Sequence, residues 1–126
     1  MKTMDEANYI TMEGYQILAA RTINSCLADD EKLKHGLFGL ASEAGEVLGI
    51  YQKAYQGHDI DSEKLKKELG DVLWMVAEIC TALGYSLGEI ASMNINKLRK
   101  RYPDGFSADR SVNRNEQEEN VNANNR

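Results

Sequence analysis

Proline is nearly missing from this chain: Pro103 is the one proline in 126 residues. Proline ends or kinks helices, so nothing of that kind interrupts the first hundred positions. Cysteine is scarce as well. Cys26 and Cys80 show no CxxC spacing and no framework pattern, which excludes a disulfide scaffold. Each falls in an apolar helical stripe, so two buried thiols in a reducing cytosol are expected. No apolar run is long enough to span a bilayer, and Met1-Lys2-Thr3-Met4-Asp5-Glu6 lacks the apolar core of a secretion signal. A cytoplasmic protein without membrane contact is expected. There is no excess of positive charge either. The net charge is −5, which argues against binding a nucleic-acid polymer. An acidic protein that takes a polyanion needs a cation to mediate. Histidine is limited to His35 and His58, and neither completes an ExxH motif, which argues against a di-iron carboxylate bundle.

Helix-forming sequence is what the chain has in quantity. No segment shows sustained strand alternation, and four helical segments can be drawn. The first runs from about Asp5 to Cys26, with Met12, Tyr15, Ala19, Thr22, Ile23 and Cys26 on one face, and breaks at Ala28-Asp29-Asp30. The second runs from about Leu33 to Gln56 and stops at Gly57. The third opens at Asp61 or Ser62, either a good N-cap, and ends at Gly84. The fourth opens with Ser86-Leu87-Gly88-Glu89, a capping box, and ends near Tyr102-Pro103. Short connections make these helices antiparallel neighbours, which predicts an all-α fold, a four-helix bundle. Residues 1–112 read as one domain. Residues 113–126 are almost all Asn, Glu, Gln and Arg, a composition that predicts a disordered polar tail.

Four carboxylates stand where apolar residues belong. On the third helix, Leu65, Val72, Val76, Ile79 and Leu83 form the apolar stripe. Glu68 points between Met75 and Ile79 within it, and Asp71 lies at its edge one turn later. On the second helix, Glu43 flanks the stripe formed by Leu37, Leu40, Ala44, Val47, Leu48 and Tyr51, with Glu46 just beyond. Each pair is spaced i, i+3, so its two side chains meet on one face. The pairs match in height if the two helices form an antiparallel hairpin, and all four acids then converge across one seam. Unpaired anions there are costly, and a divalent cation removes the cost. An all-oxygen set without histidine suits Mg²⁺, or Mn²⁺ in its place, rather than zinc. The plainer reading is a solvated acidic face paired with Lys64, Lys66 and Lys67.

The fourth helix adds the opposite charge. Lys97 and Arg101 line one edge of its inner stripe, four residues apart, where they can grip phosphate oxygens. Asn94 occupies an apolar position of the same stripe. The alternative is that these cations merely complement the helix C-terminal dipole. Gly39, Gly45 and Gly49 stand inside the second helix at a cost of roughly 0.8–1 kcal/mol each. Gly45 and Gly49 share a back face with Phe38, Ala41 and Ser42. That smooth face hints at an oligomer interface. Trp74, Tyr51, Tyr55 and Tyr102 are candidates for stacking on a base, although such aromatics are more often core.

Four motifs together resemble the MazG-like all-α nucleoside triphosphate pyrophosphohydrolases. They are Glu43-Ala44-Gly45-Glu46, Glu68-Leu69-Gly70-Asp71-Val72-Leu73-Trp74, Asn94-Ile95-Asn96-Lys97-Leu98 and Arg101-Tyr102-Pro103-Asp104-Gly105-Phe106. The resemblance covers roughly residues 33 to 106. It implies a MazG-like bundle completed by oligomerisation, as a homodimer or homotetramer. It implies Mg²⁺ at Glu43, Glu46, Glu68 and Asp71, and phosphate contacts at Lys97 and Arg101. Lys53 is then expected to face the phosphates and Asn94 to contact the nucleotide. The expected reaction is hydrolysis of a (deoxy)nucleoside triphosphate to a monophosphate and pyrophosphate. Glu43 or Glu46 is the expected general base, and Lys97 and Arg101 stabilise the leaving group. Two rivals stand beside it: a phosphoribosyl-ATP pyrophosphohydrolase, and a non-enzymatic helical dimerisation or regulatory module.

Overall fold

The computed structural model describes residues 9–114. It contains five helices: α1 (Met12–Ala20), α2 (Asp29–Tyr55), α3 (Ser62–Leu83), α4 (Leu87–Arg101) and α5 (Ala108–Val112). No strand occurs among the described residues, so the chain is all-α as its patterning predicts. None of the described helices is long and apolar enough to cross a membrane. By backbone contacts the chain divides into two compact units, residues 1–87 and 88–126. Most of the polar tail, residues 115–126, lies outside the described residues.

The first unit is organised around the α2–α3 hairpin. Asp61 caps α3, its carboxylate accepting from the Lys64 amide at 3.1 Å. Gly84 closes it in the left-handed region at φ 72°, where the Tyr85 amide reaches back to the Cys80 carbonyl at 2.8 Å. Both ends fall where the sequence puts them. α2 begins earlier than its pattern suggests, at Asp29. Its N-cap, Ala28, makes no side-chain cap, but Asp29, Asp30 and Glu31 fill the first turn. Three negative charges at the positive end of the dipole hold that turn.

Two glycines set how closely the hairpin closes. A Cβ at Gly36 would lie 2.8 Å from Ile79, and one at Gly39 would run into the end of Met75. Gly36 thus opposes Ile79, Gly39 opposes Met75, and Glu43 opposes Glu68 and Asp71, a register that runs antiparallel. A Cβ at Gly45 or Gly49 would meet nothing within 4 Å, so these two face away from α3. Their side of α2 also carries Phe38, Leu48 and Tyr55, which are 75%, 70% and 93% exposed.

α1 lies against α3. Ala19, Ala77, Cys80 and Leu87 form the buried cluster, with Tyr15, Trp74 and Val76 packed on it. Gln16 ties α1 to the end of α3: its Nε2 donates to the Tyr85 carbonyl at 2.9 Å, and its Oε1 accepts from the Leu87 amide at 2.8 Å. α1 is shorter than expected and stops at Ala20. Beyond it the chain turns, with Thr22 Oγ1 donating to the Ala19 carbonyl and Asn24 Oδ1 accepting from the Cys26 amide. Side chains that bond their own backbone compete with helix, and here they win. The expectation of two buried thiols is corrected accordingly: Cys80 is buried and Cys26 is exposed.

The second unit holds α4 and α5. α4 runs as the sequence predicts. α5 is an addition of five residues, opened by Ser107, whose hydroxyl accepts from the Arg110 amide. Between them Tyr102 and Phe106 pack with ring centroids 5.5 Å apart.

Candidate functional site

The hairpin brings three of the predicted acids together. One carboxylate oxygen from each of Glu43, Glu68 and Asp71 lies within 4.8 Å of the other two. The reason is the register above: Glu43 faces α3 where Glu68 and Asp71, one turn apart, face α2. Glu43 and Glu68 are half-buried and Asp71 is exposed. Glu46, one turn beyond Glu43, is exposed and falls outside this three-oxygen cluster.

Electrostatics at the cluster are those of crowded anions. Desolvation raises the pKa of Glu43, and the charges of Asp71, Glu68 and Glu46 raise it further. A hydrogen bond with Glu68 acts in the same direction, as when two carboxyls share one proton. Tyr15, reaching in from α1, is raised by burial and then by the charge of Asp71. No ion pair among the described residues relieves the crowding. Among the described residues of this unit, Asp29, Glu31 and Glu63 pair with nearby lysines, and Glu78 pairs with His35. None of those pairs includes Glu43, Glu68 or Asp71. Three converging oxygens without a neutralising side chain fit a hard divalent cation.

The remaining predicted residues are Lys53 in the first unit and Asn94, Lys97 and Arg101 in the second. Lys53 is exposed in the last turn of α2. Asn94 and Lys97 are exposed on α4, and Arg101 is half-buried at its end, its guanidinium 6.0 Å from the Tyr102 ring centroid. The Tyr102 hydroxyl is pulled below the usual tyrosine pKa, first by a hydrogen bond with Ser111, with smaller contributions from the charges of Arg101 and Arg114. The end of α4 thus gathers Arg101 and Arg114 around the Tyr102 hydroxyl.

One feature was not anticipated from the sequence. Glu78 on α3 is 1% exposed, and its carboxylate accepts a 2.5 Å hydrogen bond from Nδ1 of His35 on α2. Trp74 meets the His35 ring edge-on at 6.2 Å and donates its Nε1–H to Thr22 Oγ1 at 2.8 Å. The available signal was that Glu78 stands seven residues after Asp71, on the same helical face.

Comparison with known proteins gives an independent finding at the level of sequence. The family model described as the MazG nucleotide pyrophosphohydrolase domain matches residues 31–106, which contain both acidic pairs and the basic stretch of α4. The gene 37 protein of Mycobacterium phage L5 is 34% identical over 96 residues, covering 69% of this chain and 84% of the phage protein. No solved structure matches the chain.

Proposed function

The chain belongs to the MazG nucleotide pyrophosphohydrolase family, and from that premise we propose that it hydrolyses (deoxy)nucleoside triphosphates to a nucleoside monophosphate and pyrophosphate. The observation that carries this reading is the convergence of Glu43, Glu68 and Asp71 within 4.8 Å. These three, with Glu46 beside them, are proposed to hold Mg²⁺, for which Mn²⁺ can substitute. Bound there, the ion supplies charge neutralisation for the triphosphate and a polarised water. The residues divide the remaining work. Glu46, outside the tight cluster yet close enough for its charge to act on Glu43, takes a proton from the attacking water. The water oxygen bonds to the α-phosphorus, and the bond from that phosphorus to the bridging oxygen breaks. Lys97 and Arg101 stabilise the charge that passes to the departing pyrophosphate, Lys53 faces the phosphates, and Asn94 holds the nucleoside.

The active species is proposed to be a homodimer or homotetramer. Support comes from the back face of α2, where Gly45 and Gly49 permit close approach and Phe38, Leu48 and Tyr55 stand in solvent. The test is purified protein with Mg²⁺ against a panel of canonical and damaged nucleoside triphosphates, following pyrophosphate and monophosphate. Release of pyrophosphate that stops on chelation is the expected result. Release of orthophosphate, or of nothing, defeats the reading.

A further inference from the structure

The buried pair of Glu78 and His35 takes no part in the reaction proposed above, and its construction calls for a reason. A carboxylate that is 1% exposed has lost its water, and a single imidazole satisfies it. An apolar side chain of similar volume fills such a position without that desolvation cost. What the pair does is orient. The carboxylate accepts from Nδ1–H, which leaves Nε2 as the outward polar atom of the ring, a hydrogen-bond acceptor whenever the imidazole is uncharged. Trp74 stands at the ring's edge and is itself held by Thr22. The His35 side chain is 54% exposed, and Nε2 has no partner among the described residues. The result is an acceptor of fixed tautomer aimed from a rigid helix.

Its place on the hairpin matters. Gly36 opposes Glu78 and Ile79, while Glu43 opposes Asp71, so the pair sits seven positions from the acidic cluster along one seam. At 1.5 Å per residue this is about 10 Å. That is comparable to the reach from a phosphate to the far edge of its nucleoside. Resting on the hydrolase reading, we propose that His35, positioned by Glu78, is a specificity-determining residue that accepts a hydrogen bond from a donor on the nucleoside of the substrate. The donor is either an exocyclic amine of the base or a hydroxyl of the sugar.

The experiment deletes donors from the substrate and the acceptor from the protein. Steady-state hydrolysis is measured for the four ribonucleoside triphosphates, their 2′-deoxy and 3′-deoxy forms, and base analogues lacking the exocyclic amine. The wild-type protein is expected to lose about tenfold or more in kcat/KM when the recognised donor is removed, because its acceptor is then left unpaired. Loss with the amine identifies the base, and loss with a hydroxyl identifies the sugar. His35→Phe alone would strand a buried carboxylate, so it is combined with Glu78→Gln. The double variant is expected to hydrolyse the parent and the deleted analogue within about twofold of each other. Glu78→Gln alone donates from its amide to Nδ1 and moves the ring proton to Nε2, so it should lose the same discrimination with the ring still in place. A purely structural pair would lower stability without changing discrimination between analogues. Wild-type discrimination retained in either variant overturns the proposal, as does a wild type indifferent to every deletion, a measurement that needs no variant to fold. Hydrolysis of no nucleotide at all is a different failure: it overturns the hydrolase reading, and this inference with it.

Discussion

Residues 9–87 and residues 88–114 carry opposite charge. The first stretch holds twelve carboxylates against seven lysines and arginines, and the second holds three against six. The difference is local as well as global. Glu43 has its pKa raised by burial and three neighbouring acids, whereas Tyr102 has its pKa lowered by Ser111 and by two arginines. Burial is the first cause at Glu43 and the Ser111 hydrogen bond the first at Tyr102, and the neighbouring charges then add to each in opposite senses, acids at Glu43 and arginines at Tyr102. The proposed ligand, a nucleoside triphosphate carrying magnesium, presents both signs at once. This contrast is what the following experiments would break or sharpen.

The largest effect is expected from the acidic side. Glu68→Gln keeps the shape and removes the charge, and an amide is a poor magnesium ligand. Turnover should fall at least about a hundredfold, since changes even beyond the ligands of a metal cost about 10–100-fold. Unchanged helical circular dichroism would show that the fold survives, and near-normal hydrolysis at saturating Mg²⁺ would remove Glu68 from the site. On the basic side, Arg101→Ala should lower kcat about a hundredfold by removing a charge from the leaving group. A change in KM alone would mean that Arg101 binds ground state and transition state equally.

Metal should reverse the pH dependence of stability at the cluster. Glu43 binds its proton more tightly folded than unfolded, because its folded pKa is raised. That contribution is fully present below the ordinary glutamate pKa and is lost as pH rises through the raised value. Metal competes with the same proton, so its affinity rises with pH. Thermal melts with Mg²⁺ and with EDTA should therefore differ more at pH 7.5 than at pH 5. A hundredfold excess over Kd gives about 2.7 kcal/mol. No metal-dependent shift at either pH would return these acids to an ordinary solvated face.

Smaller effects separate the two sides of α2. Gly36→Ala puts a Cβ 2.8 Å from Ile79. Overpacking costs about 1–3 kcal/mol and the helix propensity regained is roughly 0.8–1 kcal/mol, for a net loss near ~1 kcal/mol in denaturant titrations. Gly45→Ala meets nothing and should stabilise the isolated chain by roughly 0.8–1 kcal/mol. If its face is the oligomer seam, ultracentrifugation should show the same variant assembling less well. Removal of residues 115–126 should change neither assembly nor turnover measurably, given their polar composition.

Much of the hairpin was legible because its signals are local. Asp61 and Gly84 mark the ends of α3 by their own backbone chemistry, and the i, i+3 acids follow from helical geometry alone. What was not legible depends on neighbours distant in sequence. Glu78 reads as an ordinary polar residue until His35 is brought to it across 43 positions. Gly36 passed unnoticed because closeness to Ile79 has no local signature. Glu46 has the same spacing logic as Glu43 yet stands outside the three-oxygen cluster, because helical spacing fixes a shared face and not the distance of each side chain from α3. The early end of α1 was missed for a third reason: Thr22 and Asn24 bond to backbone that a helix would have used.

The turn between α2 and α3 has a kinetic meaning. Glu43 meets Glu68 and Asp71 across a stretch of chain that doubles back once, through Gly57 at φ 100°. Contacts within one hairpin close a smaller loop than contacts between distant elements, so less loop entropy is lost in making them. Whenever the hairpin closes it brings these like charges together, and their mutual repulsion works against closure. A cation held there, as proposed, would relieve that repulsion during refolding as well as in the folded protein, so refolding rates with Mg²⁺ and with EDTA are a further place to look for its influence.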